Sequence, residues 1–166
     1  MTRRMGRRES DASPGVANQV EQRKGDVATA LPSSLATAAT FDPEIARAGG
    51  AMIGAEARAK RFNILLAGGV NLNRDPWGGR NFEYLGEDPL LAGELAGAHI
   101  AGVQSNRIVS TIKHFALNAQ ETGRMVLDAR IGEAALRESD LLAFQIAIEK
   151  GKPGSVMCAY NKVNGD

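Results

Sequence analysis

Cysteine is almost missing from this 166-residue chain: Cys158 stands alone. One thiol excludes an intrachain disulfide and leaves the compartment open. Histidine is nearly as scarce. His99 and His114 are the two present, neither has a second soft ligand close in sequence, and no metal site is expected. Neither sign of charge dominates, with 20 Lys and Arg against 19 Asp and Glu, so nothing in the balance calls for nucleic acid or a membrane as a partner. There is no apolar run long enough to cross a bilayer, and no positively charged start leading into an apolar core. Neither a membrane span nor a signal peptide is therefore expected in the chain as it stands. A phosphate-binding loop is also missing. Gly68-Gly69 and Gly78-Gly79 lack the G-x-x-x-x-G-K-[ST] order, and carboxylates lie where phosphates would sit, so no cofactor is expected.

Aromatic side chains are few as well: one tryptophan, two tyrosines and five phenylalanines. Three of them, Trp77, Phe82 and Tyr84, fall in one stretch from Gly68 to Glu87 that also holds Arg74, Asp75, Arg80 and Glu83. It lies between the apolar run Phe62 to Leu66 and the helix start Asp88-Pro89. A strand that empties into a long polar loop before a helix is where α/β proteins place binding sites. Guanidinium, carboxylate and indole together suit a sugar better than a phosphate. The competing reading is an ordered surface loop held by its own turns.

The rest of the chain is punctuated regularly. The arginine-rich first ten residues read as a solvated arm, and Ser10 to Val16 as a turn, since Ser, Asp, Pro and Gly each favour one. Arg23 to Asp26 continues as loop, giving an arm-and-loop region over 1–29 and a domain over 30–166. LPSSLATAAT, from Leu31, reads as a small-residue strand or strand edge. Asp42-Pro43 and Asp88-Pro89 are helix starts, with Asp accepting orphan backbone N–H groups and Pro in the first turn, where it has no bond to lose. The first helix is expected to bury Ile45, Ala48, Met52 and Ala59, and the second Leu91, Leu95, Ala98 and Gly102. Phe62–Leu66, Ile108–Ile112 and Ser155–Ala159 read as strands, and Glu133–Lys150 as one helix ending at Gly151-Lys152-Pro153. Lys113 and His114 then open a second polar loop, Asn118 to Arg130.

Strands alternating with single helices imply a parallel sheet with right-handed crossovers. A doubly wound sheet and part of a (β/α)8 barrel both fit that order. A whole barrel needs roughly 250 residues, so this chain can supply about half of one at most. It also stops directly after a strand with no helix to cover it, and a fragment of a longer polypeptide is expected.

Three motifs then carry a resemblance: Gly79-Arg80-Asn81-Phe82-Glu83; Lys113-His114-Phe115 with Asn118 and Gln120-Glu121-Thr122; and Met157 to Gly165. In this order and spread over nearly the whole chain, they resemble the N-terminal barrel of the family 3 glycoside hydrolases, the β-glucosidase type. The resemblance implies an α/β fold, a partial (β/α)8 TIM-type barrel, and a retaining exo-acting glycosidase that removes a terminal β-linked glucose or related sugar. It places Asp11, Arg80, Lys113, His114, Arg124, Met157 and Tyr160 around the innermost sugar, with carbohydrate and the rest of the polypeptide as partners. A pyranose offers hydroxyls that both donate and accept, so charged forks on one side and an apolar platform on the other suit it. Residue by residue, duller roles compete: Asp11 as a turn former, Arg80 as the surface partner of Glu83 or Glu87, Met157 and Tyr160 as core, Trp77 as loop anchor or outer sugar platform. Ala17 departs from the family, which has an arginine there. The family's Ser-Asp-Trp nucleophile motif and its acid/base residue have no counterpart, because Ser139-Asp140 is followed by Leu141.

Overall fold

The computed structural model describes residues 8–17 and 27–166. The expectations for residues 1–7 of the arm and for the Arg23–Asp26 loop lie outside them. In chain order the elements are β1 (Glu9–Asp11), α1 (Ser34–Ala38), α2 (Pro43–Ala59), β2 (Ile64–Leu66), a 3₁₀ turn (Asn81–Glu83), α3 (Pro89–Gln104), β3 (Val109–Phe115), β4 (Asp128–Ala129), α4 (Glu133–Glu138), α5 (Asp140–Gly151), β5 (Ser155–Cys158) and β6 (Lys162–Val163).

Both Asp-Pro signals work as their chemistry requires. Asp42 Oδ1 accepts the Glu44 N–H at 2.8 Å and Asp88 Oδ1 the Leu91 N–H at 2.7 Å, with proline the first helical residue in each case. Four parallel strands form one open sheet in the order β1-β2-β3-β5. Sequence order and spatial order coincide, with no reversal of the kind that marks a doubly wound sheet. That is the arrangement of an arc of a (β/α)8 barrel, and the fold is α/β of this type. α3 packs between α2 and α5, so the crossover helices line up side by side on one face.

The core sits on that face. Ile53, Leu65, Val103 and Ile108 cluster between α2, β2 and α3, and Val70, Ile100, Ile112 and Phe144 between α3, β3 and α5. Truncating a fully buried phenylalanine such as Phe144 to alanine costs about 3–5 kcal/mol in cores of this kind.

Five expectations are corrected. Glu9–Asp11 is a strand paired with β2, so the turn chemistry begins only after it. The LPSSLATAAT stretch holds a helix, α1, because Ser33 Oγ accepts the Ala36 N–H at 3.2 Å and caps it. α2 buries Ala46, Gly50, Ile53, Gly54 and Ala57, while Ile45 is exposed. Its buried face is the glycine face, because a Cβ on Gly50 would lie 2.1 Å from the His99 carbonyl oxygen and one on Gly102 2.2 Å from that of Arg47. The helix expected over 133–150 breaks at Ser139, where the buried Asp140 turns to an ion pair with Arg74 from the loop after β2. The last loop is partly ordered: β6 pairs in parallel with β4.

Candidate active site

The carboxyl ends of the parallel strands converge on one cluster of charges. β1 ends at Asp11, and β3 is longer than expected, so Lys113 and His114 lie within the strand and take its rigidity. Lys113 is 2% exposed. A buried ammonium is tolerable only when paired, and two carboxylates meet it: Asp11 Oδ1 at 2.9 Å and Glu83 Oε2 at 3.2 Å. Glu83 is itself buried and holds Arg80, whose Nε donates to Oε1 at 2.6 Å. Ser13 Oγ donates to Glu83 Oε2 at 3.3 Å.

From Arg80 the network divides. One branch runs through Glu121, whose Oε2 takes Arg80 Nη1 at 3.3 Å and whose Oε1 takes Arg124 Nε at 3.3 Å. Arg124 then lies over the Tyr160 ring, 5.1 Å from its centroid. The other branch runs from Arg80 Nη2 to His114 Nε2 at 3.3 Å, from His114 Nδ1 to Tyr84 Oη at 3.0 Å, and to Asn118 Nδ2 2.9 Å from the same oxygen. Burial would lower the Arg80 pKa, but the Glu83 charge, together with the other groups around the guanidinium including its hydrogen bonds to Glu83 and Glu121, holds that pKa above its ordinary value. Burial, and then the charges of Lys113, Arg80 and Arg124, push His114 down to about 3, so its ring is neutral. Burial, with the Glu83 charge, raises Tyr84, which stays a phenol.

The backbone fixes this cluster at several points. Asn71 clamps His114 from both sides, accepting its N–H at 2.8 Å and donating to its carbonyl at 3.0 Å. Gly69 lets the Glu83 carbonyl come close, since a Cβ there would lie 2.7 Å from that oxygen. The two long loops are joined where the Glu121 N–H meets the Gly78 carbonyl at 2.7 Å.

Six of the seven candidates, Asp11, Arg80, Lys113, His114, Arg124 and Tyr160, are thus linked by contacts, and Met157 is the register partner of Lys113 on β5. Arg80 pairs with Glu83 as the duller reading had it, but inside the cluster rather than on the surface. Trp77 is 91% exposed and anchors nothing; Asn81, donating to the carbonyls of Asp75 and Pro76, holds that loop. The sequence reading missed Glu83, Tyr84, Asn118, Asn71 and Glu121 as members. Glu83, Asn118 and Glu121 do lie within or beside the motifs quoted above, and that adjacency was the available signal. A separate, mostly apolar cavity of about 360 Å³ among α1, α2 and α3 touches Ser13 and Glu83 but none of the seven. Among the described residues no group of His, Cys, Asp or Glu is placed to hold a metal ion.

Residues 10–166 match the glycosyl hydrolase family 3 N terminal domain. The chain belongs to this family. It is 47% identical over 139 residues to thermostable β-glucosidase B of Acetivibrio thermocellus, covering 84% of this chain and 18% of that protein. β-Glucosidase B of Emericella nidulans is 45% identical over 152 residues, covering 92% of this chain and 18% of its own length. Among solved structures, β-glucosidase 3B from Thermotoga neapolitana in complex with glucose superposes with a TM-score of 0.90 at 43% identity, over 95% of this chain and 22% of that one. The β-glucosidase of Kluyveromyces marxianus in complex with glucose gives 0.91 at 34% identity, over 96% and 19%. The chain therefore spans about a fifth of the length of these relatives.

Proposed function

We propose that this chain supplies the N-terminal part of a retaining, exo-acting β-glucosidase that hydrolyses terminal non-reducing β-D-glucosyl residues. The observation that carries the reading is the unbroken line of hydroxyl-binding groups at the strand ends, Asp11 to Lys113 to Glu83 to Arg80 to Glu121 to Arg124. Asp11, 65% exposed, keeps acceptor capacity for sugar hydroxyls beside its bond to Lys113. Arg80 and Arg124 offer N–H donors, His114 a neutral ring, and Met157 and Tyr160 the apolar wall. Relatives named β-glucosidases, two of them solved with glucose, support the choice of sugar.

A retaining mechanism needs two carboxyl groups about 5–5.5 Å apart, one as nucleophile and one as acid/base. Asp11, Glu83 and Glu121 each already hold a cation, and a carboxylate neutralised in this way is a poor nucleophile. The nucleophile and the acid/base are accordingly expected from other parts of a longer polypeptide. Purified chain 1–166 should bind glucose without hydrolysing an aryl β-glucoside. Measurable hydrolysis by the purified chain would overturn this division of labour. A native product several times longer that cleaves the glucoside would bear it out. A native product of only 166 residues that binds glucose would favour a second reading, a sugar-binding or scaffold protein without chemistry, which the neutralised carboxylates also fit.

A further inference from the structure

Protein interiors hold few voids larger than a water molecule, yet about 360 Å³ stands open among α1, α2 and α3. An apolar cavity of about 150 Å³ is enough to hold benzene. The walls here come mostly from Leu31, Ile45, Met52, Leu85 and Leu95. Ile45 is 49% exposed, so the space meets solvent beside it. Gly49 also lines the cavity, and a Cβ there would meet only Leu31 Cδ1 at 3.8 Å. Alanine is the better helix former, so the glycine leaves room that helix stability alone would fill.

The polar groups in the wall fix what an occupant must bring. Glu83 is a buried carboxylate with acceptors alone, and Ser13 Oγ gives its proton to Oε2 at 3.3 Å. Oε2 also takes Lys113 Nζ at 3.2 Å and Oε1 takes two nitrogens of Arg80, so the roughly four lone pairs of the carboxylate are engaged. Ser13 is left with lone pairs to offer. His99, on α3, is neutral because burial pushes it down to about 4. Its ring proton goes to the Ala46 backbone, so the other ring nitrogen is an acceptor too. Ser34 and Thr37 can turn their hydroxyls either way. Among the described residues no Lys or Arg lines the space, and an anion would meet a carboxylate there without a counter-charge.

We propose that this cavity is a second binding site, apart from the strand-end cluster, for a small neutral aromatic molecule carrying a hydroxyl donor, with phenol the simplest member. The ring fills the apolar space and the O–H reaches Ser13 Oγ or His99. A ring suits the space better than a flexible chain because it has few rotors to freeze.

Phenol and toluene have nearly the same shape and differ in the donor. Isothermal titration of chain 1–166 should show one saturable phenol site, with toluene bound roughly fivefold more weakly, the loss of one neutral hydrogen bond. A purely apolar cavity would rank them the other way, since toluene is the more hydrophobic. Absence of saturable phenol binding, or toluene bound equally well or better, would overturn the proposal. Gly49→Leu extends a side chain from the wall and should abolish phenol binding while leaving the far-ultraviolet circular dichroism unchanged. Undiminished binding in folded Gly49→Leu would place phenol elsewhere and refute the site. Should that variant fail to fold, ¹⁵N-histidine spectra of the wild type decide, because only two histidines are present and His114→Gln assigns them. Saturating phenol should shift the His99 ring nitrogens, and an unmoved ring would refute the site. None of these readouts uses glucose, so the site stands or falls apart from the sugar reading.

Discussion

Lys113 and Glu83 set the energetics of the site, because both are almost wholly removed from water, at 2% and 3% exposure. Breaking a buried pair leaves an uncompensated charge, at a cost of about 3–5 kcal/mol. Glu83→Gln should therefore destabilise the chain by about 3 kcal/mol in urea unfolding, since Lys113 keeps only the exposed Asp11. Lys113→Met should cost less, because Glu83 retains Arg80 and Ser13. The double variant should lose less than the sum of the two, by about 1 kcal/mol or more; strict additivity would mean that the two charges do not interact. Asp11→Asn makes the contrast. Its carboxylate is mostly solvated, so its loss should change stability by less than about 1 kcal/mol while weakening glucose binding. Of these residues Lys113 was legible through the motif that carries it, and Asp11 only through what the family resemblance implies. Glu83 was not, because an Arg80–Glu83 pair three residues apart reads as a surface contact until Lys113, thirty positions further on, is seen to bury it.

Among the elements, the helices α2 and α3 show what patterning can and cannot reveal. Their starts are local events, one side chain capping one backbone N–H, and the Asp-Pro pairs announced both. The buried face of α2 is a relation between two helices, and the sequence alone favoured Ile45, Ala48, Met52 and Ala59 over the glycines. β1 and α1 escaped for a related reason. Three residues in Glu-Ser-Asp carry no strand pattern until β2 supplies their hydrogen bonds, and five residues of helix are too few for a period. Two adjacent glycines test the packing of α2. Alanine is about 1 kcal/mol better than glycine in a helix interior. At Gly49 the added methyl meets only Leu31 Cδ1 at 3.8 Å, so Gly49→Ala should raise the unfolding midpoint. At Gly50 it would run into the His99 carbonyl, so the helices must part and Gly50→Ala should lower stability by about 1–3 kcal/mol. Shifts of the same sign in thermal unfolding would show that α2 and α3 do not approach as closely as this.

For the molecule as a whole, the open sheet is the dominant physical fact. Among the described residues β5 pairs with β3 along one edge and with no strand along the other, and Val156 on it is 48% exposed. Phe115 and Tyr160, at 43% and 62%, and Ile148 on α5, at 38%, add further exposed apolar surface. An unprotected strand edge beside apolar side chains is a template for pairing with another chain. Closure of a barrel removes such edges, and an arc retains them. The purified chain should consequently self-associate as its concentration rises, seen as growth of the sedimentation coefficient over the micromolar range. Val156 is the register partner of Ile112 on the helix-facing side of the sheet and is half exposed there. Val156→Lys therefore places a charge on the open edge that can still reach water, and it should suppress association while leaving the far-ultraviolet circular dichroism unchanged. Association that persists in Val156→Lys would move the sticky surface off β5. Glucose supplies a second control, because the charged cluster gathers at the carboxyl ends of the strands whereas the β5 edge runs along one side of the sheet. Saturating sugar should therefore leave the association unchanged if the edge drives it, and weaken it only if the copies meet across the cluster itself.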